Sequence, residues 1–565
     1  YDLVVRVGDR ELTKEEFEAL AKDAGKVVPF DDGFVYLDPE ALDVIRRRFE
    51  EKSSRMAKIR MLLTEEADGV KIEVPEDFRE RLAALCAVED EALPATLTAT
   101  LRPYQERGYS WLMKNYRLGL GSLIADDMGL GKTLQVIAAL TRMKEEGDFA
   151  KKRALAVVPT SLLTNWQREI AKFSPQLTVG VYHGASRALP EDCTDVLLTT
   201  YGTARRDAEV LAKERWRVLV LDEAQALKNE STQQTRALRT IKADRVIAMS
   251  GTPVENSLLD FRSILSTVEP GVLGSLKDFT EQFLIPVEVN HDLRAAEALK
   301  RLTAPFLLRR LKSDPKIAAD LPEKIENDFF VSMTPEQASL YAGVVEEALE
   351  RVKKTEKPEE RRSLVLGLVM RLKQICNSPS QYEKRRSDAP DSAKAAALLD
   401  LLSRSRAAGR KVLVFTQFRE TGERLQDWIE RATGRRPEFL HGGVSIAART
   451  KMVDAFQNDR GVEVLLISLK AGGTGLNLTA ASAVVHYDLW WNPAVEDQAT
   501  DRAHRIGQRR DVLVYRFISA GTFEERVNEL LTQKRRLTDL TVHSGENWLG
   551  DLSNDELDQL FRLSL

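Results

Sequence analysis

The chain has 565 residues, with 83 Lys and Arg against 87 Asp and Glu and a net charge of −4. Its length implies about three to four domain-sized units, and so even a charge balance excludes a chain that coats nucleic acid through bulk charge, leaving only a local basic surface for that role. Three separated cysteines (Cys86, Cys193 and Cys376) and six scattered histidines supply neither a disulfide framework nor a zinc cluster.

No run of about 18 apolar residues spans a membrane, and no secretory core stands at the front. The expected compartment is therefore reducing cytosol. The chain opens on Tyr1 rather than Met, which suggests a piece of a longer protein.

In chain order, residues 1–95 read as a small mixed accessory region. Val4, Val5 and Val7 alternate like a strand, Leu12 to Phe17 read as a capped helix start, and Arg46 to Arg60 look helical. From about residue 96, short apolar runs alternate with amphipathic stretches: Leu155–Val158, Asp195–Leu198, Val218–Leu221 and Val246–Met249. Such runs between helices predict a parallel sheet covered on both faces. Residues 96–312 form a first α/β lobe with helical character from about 256, and 313–382 are read as a helical protrusion and linker. Pro335–Val352 and Ser363–Cys376 are its helices, and Asn377–Ser380 the linker. Strand–helix alternation returns over 383–530 (Lys411–Phe415, Val462–Ile467, Ala483–Tyr487, Val512–Phe517), giving a second lobe before a tail at 531–565.

Gly129-Leu130-Gly131-Lys132-Thr133 follows the apolar run Ser122–Ala125 and opens a helix. Strand, glycine loop and helix N-terminus together cradle phosphates with backbone N–H groups. Lys132 is placed to reach the β- and γ-phosphates and Thr133 to ligate Mg²⁺, although Asp126 stands where the common pattern has Gly. Asp222-Glu223-Ala224-Gln225 follows the strand Val218–Leu221, so both carboxylates sit at a strand's C-terminal end. Asp222 is expected to hold the metal and Glu223 to orient and deprotonate water. In Gln498–Gln508, Arg502 and Arg505 fall one helical turn apart on one face, as a pair of arginine fingers. Ahead of them, Lys470–Leu478 is a glycine-dense turn that permits close backbone approach.

In this order the segments resemble the Swi/Snf-type ATPases of helicase superfamily two, in their bacterial and archaeal branch. The resemblance runs over roughly residues 96–535 through Leu101–Gln105, Asp126–Thr133, Val158–Leu162 with Asn165 and Trp166, Asp222–Gln225 and Ser250–Asn256. It continues through Pro305–Arg310, Arg371–Asn377, Val412–Phe418, Leu440–Gly442, Lys470–Leu478, Trp491–Pro493 and Gln498–Gln508. Gln225 departs from the family, where many members have His.

The resemblance implies two RecA-like lobes with helical insertions, and a helical brace over Thr522–Leu540. It implies ATP in the cleft, with Gln105 reading adenine, Asp126, Gly129, Gly131 and Gly475 lining the nucleotide, and Gln498 near the arginines. It further implies DNA contacts from Thr160, Asn165, Trp166, His183, Gly184, Thr199, Thr416, His441, Lys470 and Trp491, while Trp490 is expected to pack. The implied function is ATP-driven translocation on double-stranded DNA that remodels or removes protein–DNA complexes, by a monomeric, nucleoid-associated motor. A DNA-bound protein such as RNA polymerase is a candidate cargo, and no histone-reading module is present to imply nucleosomes. The alternatives are a strand-separating helicase and an ATP-gated DNA clamp.

Overall fold

The computed structural model describes residues 5–7, 10–30, 33–50, 55–64, 66–67, 70–71, 87–185, 187–190, 194–251, 257–312, 314, 317, 322–355, 357–472, 476–490, 493–537 and 552–563. Two large parallel sheets organise them. The seven-stranded sheet runs in the order Leu307–Leu308, Ser122–Ile124, Ala243–Met249, Trp216–Asp222, Arg153–Val158, Val196–Thr200, Val179–Tyr182. The six-stranded sheet runs Lys324–Val331, Val512–Ser519, Ala481–His486, Lys411–Thr416, Val464–Ser468, Glu438–Leu440. Parallel neighbours require crossovers, here carried by helices such as Lys132–Glu145, Leu163–Phe173 and Arg419–Thr433.

Each apolar strand sends alternate side chains into two cores. Leu155, Val157, Leu219 and Leu221 join one cluster of the first lobe, while Ala154, Ala156, Val158, Val218 and Val220 join the other. In the second lobe Leu413, Phe415, Leu465 and Ile467 face one way, and Val412, Val414 and Leu466 the other. This two-sided burial explains why the runs are continuously apolar.

Several elements differ from expectation. Leu307–Leu308, in the part of the first lobe read as helical, completes the first sheet, and Lys324–Val331, in the stretch read as helical protrusion, is the edge strand of the second, paired in parallel along Val512–Ser519. The second lobe therefore starts before the helices Pro335–Lys353 and Pro358–Asn377. The supposed linker is interior: Asn377 donates to Asp488 at 2.8 Å, and Ser378 to Asp391 at 2.7 Å.

At the front, Thr13 caps the helix Lys14–Leu20 in a reciprocal box with Glu16, and Val5–Val7 pairs with Arg10–Leu12. The charged segment forms the helices Pro39–Glu50 and Arg55–Thr64. Leu63 enters the first lobe's core. At the back, Leu557, Leu560 and Phe561 of the helix Asn554–Phe561 pack with Tyr341, Val345 and Phe523. The tail thus braces the second lobe's own helical pair. The helix Phe523–Leu537 covers part of the expected brace, and residues 538–551 lie outside the described residues.

Candidate ATP site between the lobes

The loop after Ser122–Ile124 reaches the helix Lys132–Glu145 through two left-handed glycines, Gly129 (φ +83°) and Gly131 (φ +75°). A Cβ at Gly131 would lie 2.3 Å from Gln105 Nε2, and one at Gly129 2.7 Å from Arg505 Cβ. Both conformation and space therefore require glycine. Gln105 is buried: its Oε1 accepts from the Arg102 N–H at 3.0 Å, and its Nε2 donates to the Leu130 carbonyl at 3.2 Å. The amide expected to read adenine here holds the phosphate loop from behind.

Lys132 Nζ donates to the Asp126 and Asp127 carbonyls at 2.6 and 3.2 Å. Burial lowers its pKa, opposed first by Glu223 and then by Asp126. Thr133 is half-buried in the first helical turn. Asp126 is fully buried and ion-paired to Arg310, whose Nε donates to Oδ1 at 2.9 Å. Its carboxylate anchors the loop to the segment leaving the first lobe.

Asp222 ends the central strand, and Glu223 follows with φ +54°, a left-handed conformation that is strained for a side chain bearing Cβ. Trp166 Nε1 donates to Asp222 Oδ2 at 2.8 Å, and the Glu223 N–H to Oδ1 at 2.9 Å. Burial, with Glu223 beside it, pushes the Asp222 carboxyl up to about 7. Gln225 Nε2 donates to Glu223 Oε2 at 2.7 Å, and Ser250 Oγ donates to Gln225 Oε1 at 2.9 Å. Asp222 and the Thr133 hydroxyl are hard oxygen donors, and a crowded buried carboxyl is relieved by a divalent cation, so these residues fit Mg²⁺. One carboxylate and one hydroxyl suit an ion completed by substrate phosphates. No group of three or more His, Cys, Asp or Glu arranged to hold a metal ion by itself is present among the described residues.

The second lobe closes the site. Arg502 and Arg505 lie beyond the helix Pro493–Thr500, in a series of turns and not on a helix face. The expectation of a helical pair is corrected, yet both side chains still reach the cleft. Arg502 is buried with Nη2 3.9 Å from Met128 Sδ, and the Glu223 charge supports its protonated form against burial. Arg505 lies against Gly129 and donates to the Leu476 carbonyl at 3.3 Å. Gln498 is half-buried on the helix before them, and Gly475 lies outside the described residues.

The expected DNA contacts divide. Thr160 and Gly184 are exposed, Asn165, His183 and His441 half-buried. Three others are fully buried and bonded within the protein. Trp166 is fully buried on Asp222, Thr199 donates to the Tyr182 carbonyl at 2.8 Å, and Thr416 donates to Asp488 at 2.6 Å. The Lys470 side chain and Trp491 lie outside the described residues. Trp490 packs against the second lobe's core, with Lys373 over its ring at 6.0 Å. Sequence reasoning missed Arg310 and Lys312 in this site, because their partners lie roughly 180 residues away in the chain.

Residues 104–381 match the SNF2-related domain, 393–507 the helicase conserved C-terminal domain, and 1–67 a model described as SNF2 helicase protein. YwqA of Bacillus subtilis, whose name proposes an ATP-dependent helicase/translocase, is 39% identical across 98% of this chain and 63% of its own length. The ISWI chromatin-remodeling complex ATPase ISW2 of Saccharomyces cerevisiae is 33% identical, with 81% of this chain and 43% of its own covered. The Sulfolobus solfataricus SWI2/SNF2 ATPase core solved with double-stranded DNA is 37% identical, covering 84% of this chain and all of that one at a TM-score of 0.43. The chain belongs to the SNF2-related family, in its two-lobed form. It spans 63% of the Bacillus relative and 45% of an ATP-dependent helicase of Mycoplasma pneumoniae that is 37% identical.

Proposed function

We propose that the chain hydrolyses ATP in the cleft between its lobes and uses the cycle to move along double-stranded DNA, remodelling or removing bound protein. The observation that carries this reading is the meeting of the two lobes at the phosphate loop, with Arg505 of the second packed on Gly129 of the first. A site completed only when the lobes touch converts each turnover into opening and closing.

The loop N–H groups and Lys132 bind the phosphates, and Asp222 and Thr133 hold Mg²⁺, which when bound neutralises charge on the transferring phosphoryl group. Glu223 orients the attacking water and accepts its proton, held in place by Gln225. Arg502 and Arg505 stabilise the charge developing on the phosphoryl oxygens. Phosphate-directed polar groups such as Thr160, His183 and His441 carry no base preference, so DNA binding is sequence-tolerant and salt-sensitive. The relatives named as translocase and chromatin remodeller support the class of work. The place of action proposed is the cytoplasm, at the nucleoid; no helix among the described residues is long and apolar enough to cross a membrane.

Displacement of a third strand from a DNA triplex tests the reading. ATP-dependent release without separation of the underlying duplex is the expected result. Release of single strands from a plain duplex would favour the separating helicase, and ATP-dependent retention without displacement the clamp.

A further inference from the structure

Three short connections meet where the chain leaves the first lobe. The Asp127 N–H donates to the Arg310 carbonyl at 3.0 Å, and Arg310 is ion-paired to Asp126. The Lys312 N–H donates to Asp127 Oδ2 at 2.8 Å, so the segment 310–312 grips the start of the phosphate loop from one side. From its other side the same residue reaches the second lobe. Lys312 Nζ lies 2.5 Å from Asp501 Oδ1 and donates to the His504 carbonyl at 2.8 Å.

Asp501 and His504 each adjoin an arginine of the site, Arg502 and Arg505. The ammonium is largely removed from water, with 14% of its side chain exposed and 15% of Asp501. A second tie follows a few residues on, between His504 Nε2 and the Pro322 carbonyl at 2.8 Å.

We propose that Lys312 is a positioning residue for the arginine pair, coupling the conformation of the phosphate loop to the placement of Arg502 and Arg505. Its main chain is fastened to the loop and its side chain to the turns that bear the arginines, with no other residue between. A phosphate that moves Asp127 therefore moves the Lys312 N–H, and with it the ammonium that holds Asp501 and the His504 carbonyl. In this role Lys312 acts through the arginines. This inference rests on the ATPase reading above.

The test compares Lys312→Met, Lys312→Arg and Arg502→Ala in the full chain, singly and with Lys312→Met and Arg502→Ala combined. Steady-state ATP turnover and the Kd of a fluorescent ADP analogue are measured for each. Misplacing a catalytic group costs up to about 100-fold. Lys312→Met is expected to lower kcat by about 10- to 100-fold with KM and the ADP Kd changed less than about twofold. Lys312→Arg recovers much of the loss. The combined variant loses less than the product of the two single losses, the remainder falling on Arg505, as expected of residues acting through a shared step.

Multiplying losses in the combined variant would overturn the coupling, as would a raised KM at unchanged kcat. If Lys312→Met does not fold, Asp501→Asn breaks the same pair and the same cycle is run with it. A wild-type chain that binds the ADP analogue but hydrolyses no ATP, with or without DNA, would defeat the ATPase reading and this inference with it; normal wild-type turnover matched by Lys312→Met would defeat the inference alone.

Discussion

Ser250 and Gln225 are joined by a 2.9 Å hydrogen bond, hydroxyl to amide oxygen, and the nitrogen of the same amide donates to Glu223 at 2.7 Å. One side chain thus connects the end of the strand Ala243–Met249 to the Glu223 carboxylate. An amide suits this place because it donates at one end and accepts at the other without titrating. Next to Ser250, a Cβ at Gly251 would lie 2.5 Å from Met128 Cγ, and Met128 Sδ in turn touches Arg502.

Gln225→Ala should therefore leave nucleotide affinity intact and lower kcat by about tenfold or more, because an unanchored general base loses part of the roughly 10²–10⁴-fold it contributes. Steady-state kinetics with a separate ADP-binding titration check this. Unchanged kcat would show that Glu223 is held without the bridge.

The raised pKa of Asp222 sets the pH dependence. A proton and Mg²⁺ compete for this carboxylate, so the Mg²⁺-dependent part of nucleotide affinity should weaken as pH falls through about 7, not near the ordinary carboxylate range. For the nucleotide-free protein the sign is opposite. The folded pKa is raised, so the stability Asp222 contributes is present at low pH and is lost as pH rises through about 7. The indole N–H of Trp166 favours the ionised form, so Trp166→Phe should shift the acid limb upward. Titrations of Mg·ADP binding across pH read this; a limb near pH 4 unmoved by Trp166→Phe would contradict it.

Gly129→Ala tests the contact between the lobes. Its left-handed φ disfavours any Cβ, and the added methyl would lie 2.7 Å from Arg505 Cβ. Turnover should fall at least about tenfold, while Gly434→Ala, whose Cβ would meet nothing within 4 Å at φ +74°, controls for backbone strain alone. Equal turnover in the two variants would remove the interlobe contact from the mechanism.

Lys394 and Glu524 form a buried pair at 2.7 Å, with 1% and 3% of their side chains exposed. Glu524 also accepts from the Ser519 N–H at 2.9 Å. Lys394→Met leaves that charge uncompensated and should cost about 3–5 kcal/mol, with Lys394→Met/Glu524→Gln recovering part of it. Urea unfolding monitored at the second lobe's tryptophans measures both; a loss below about 1 kcal/mol would show that water replaces the pair.

The local structure around the first lobe's motifs was legible because each motif is local: Gly129–Thr133 and Asp222–Gln225 sit where one strand meets one turn. Long-range ties were not. Lys324–Val331 was missed as a strand because it is a sheet edge, and its Lys324, Glu326 and Asp328 face solvent and ion pairs instead of a core. Asn377–Ser380 has the composition of a linker, yet Asp488 and Asp391 accept from the Asn377 amide, the Ser378 hydroxyl and the Ser380 N–H and help it to be buried. Trp166, Thr199 and Thr416 occur in segments that resemble DNA-contacting motifs, but these three side chains support the segments from inside. Arg502 and Arg505 were found by residue type and mispredicted in local structure, because the helix ends at Thr500 and turns carry them to the cleft.

The most direct measurement of the central claim is steady-state ATP hydrolysis without nucleic acid, with single-stranded DNA, and with duplex DNA of increasing length at fixed salt. A motor that tracks duplex DNA predicts stimulation by duplex that rises with length and is lost in Glu223→Gln and Arg502→Ala. Equal or greater stimulation by single strands, or turnover indifferent to both forms, would contradict it.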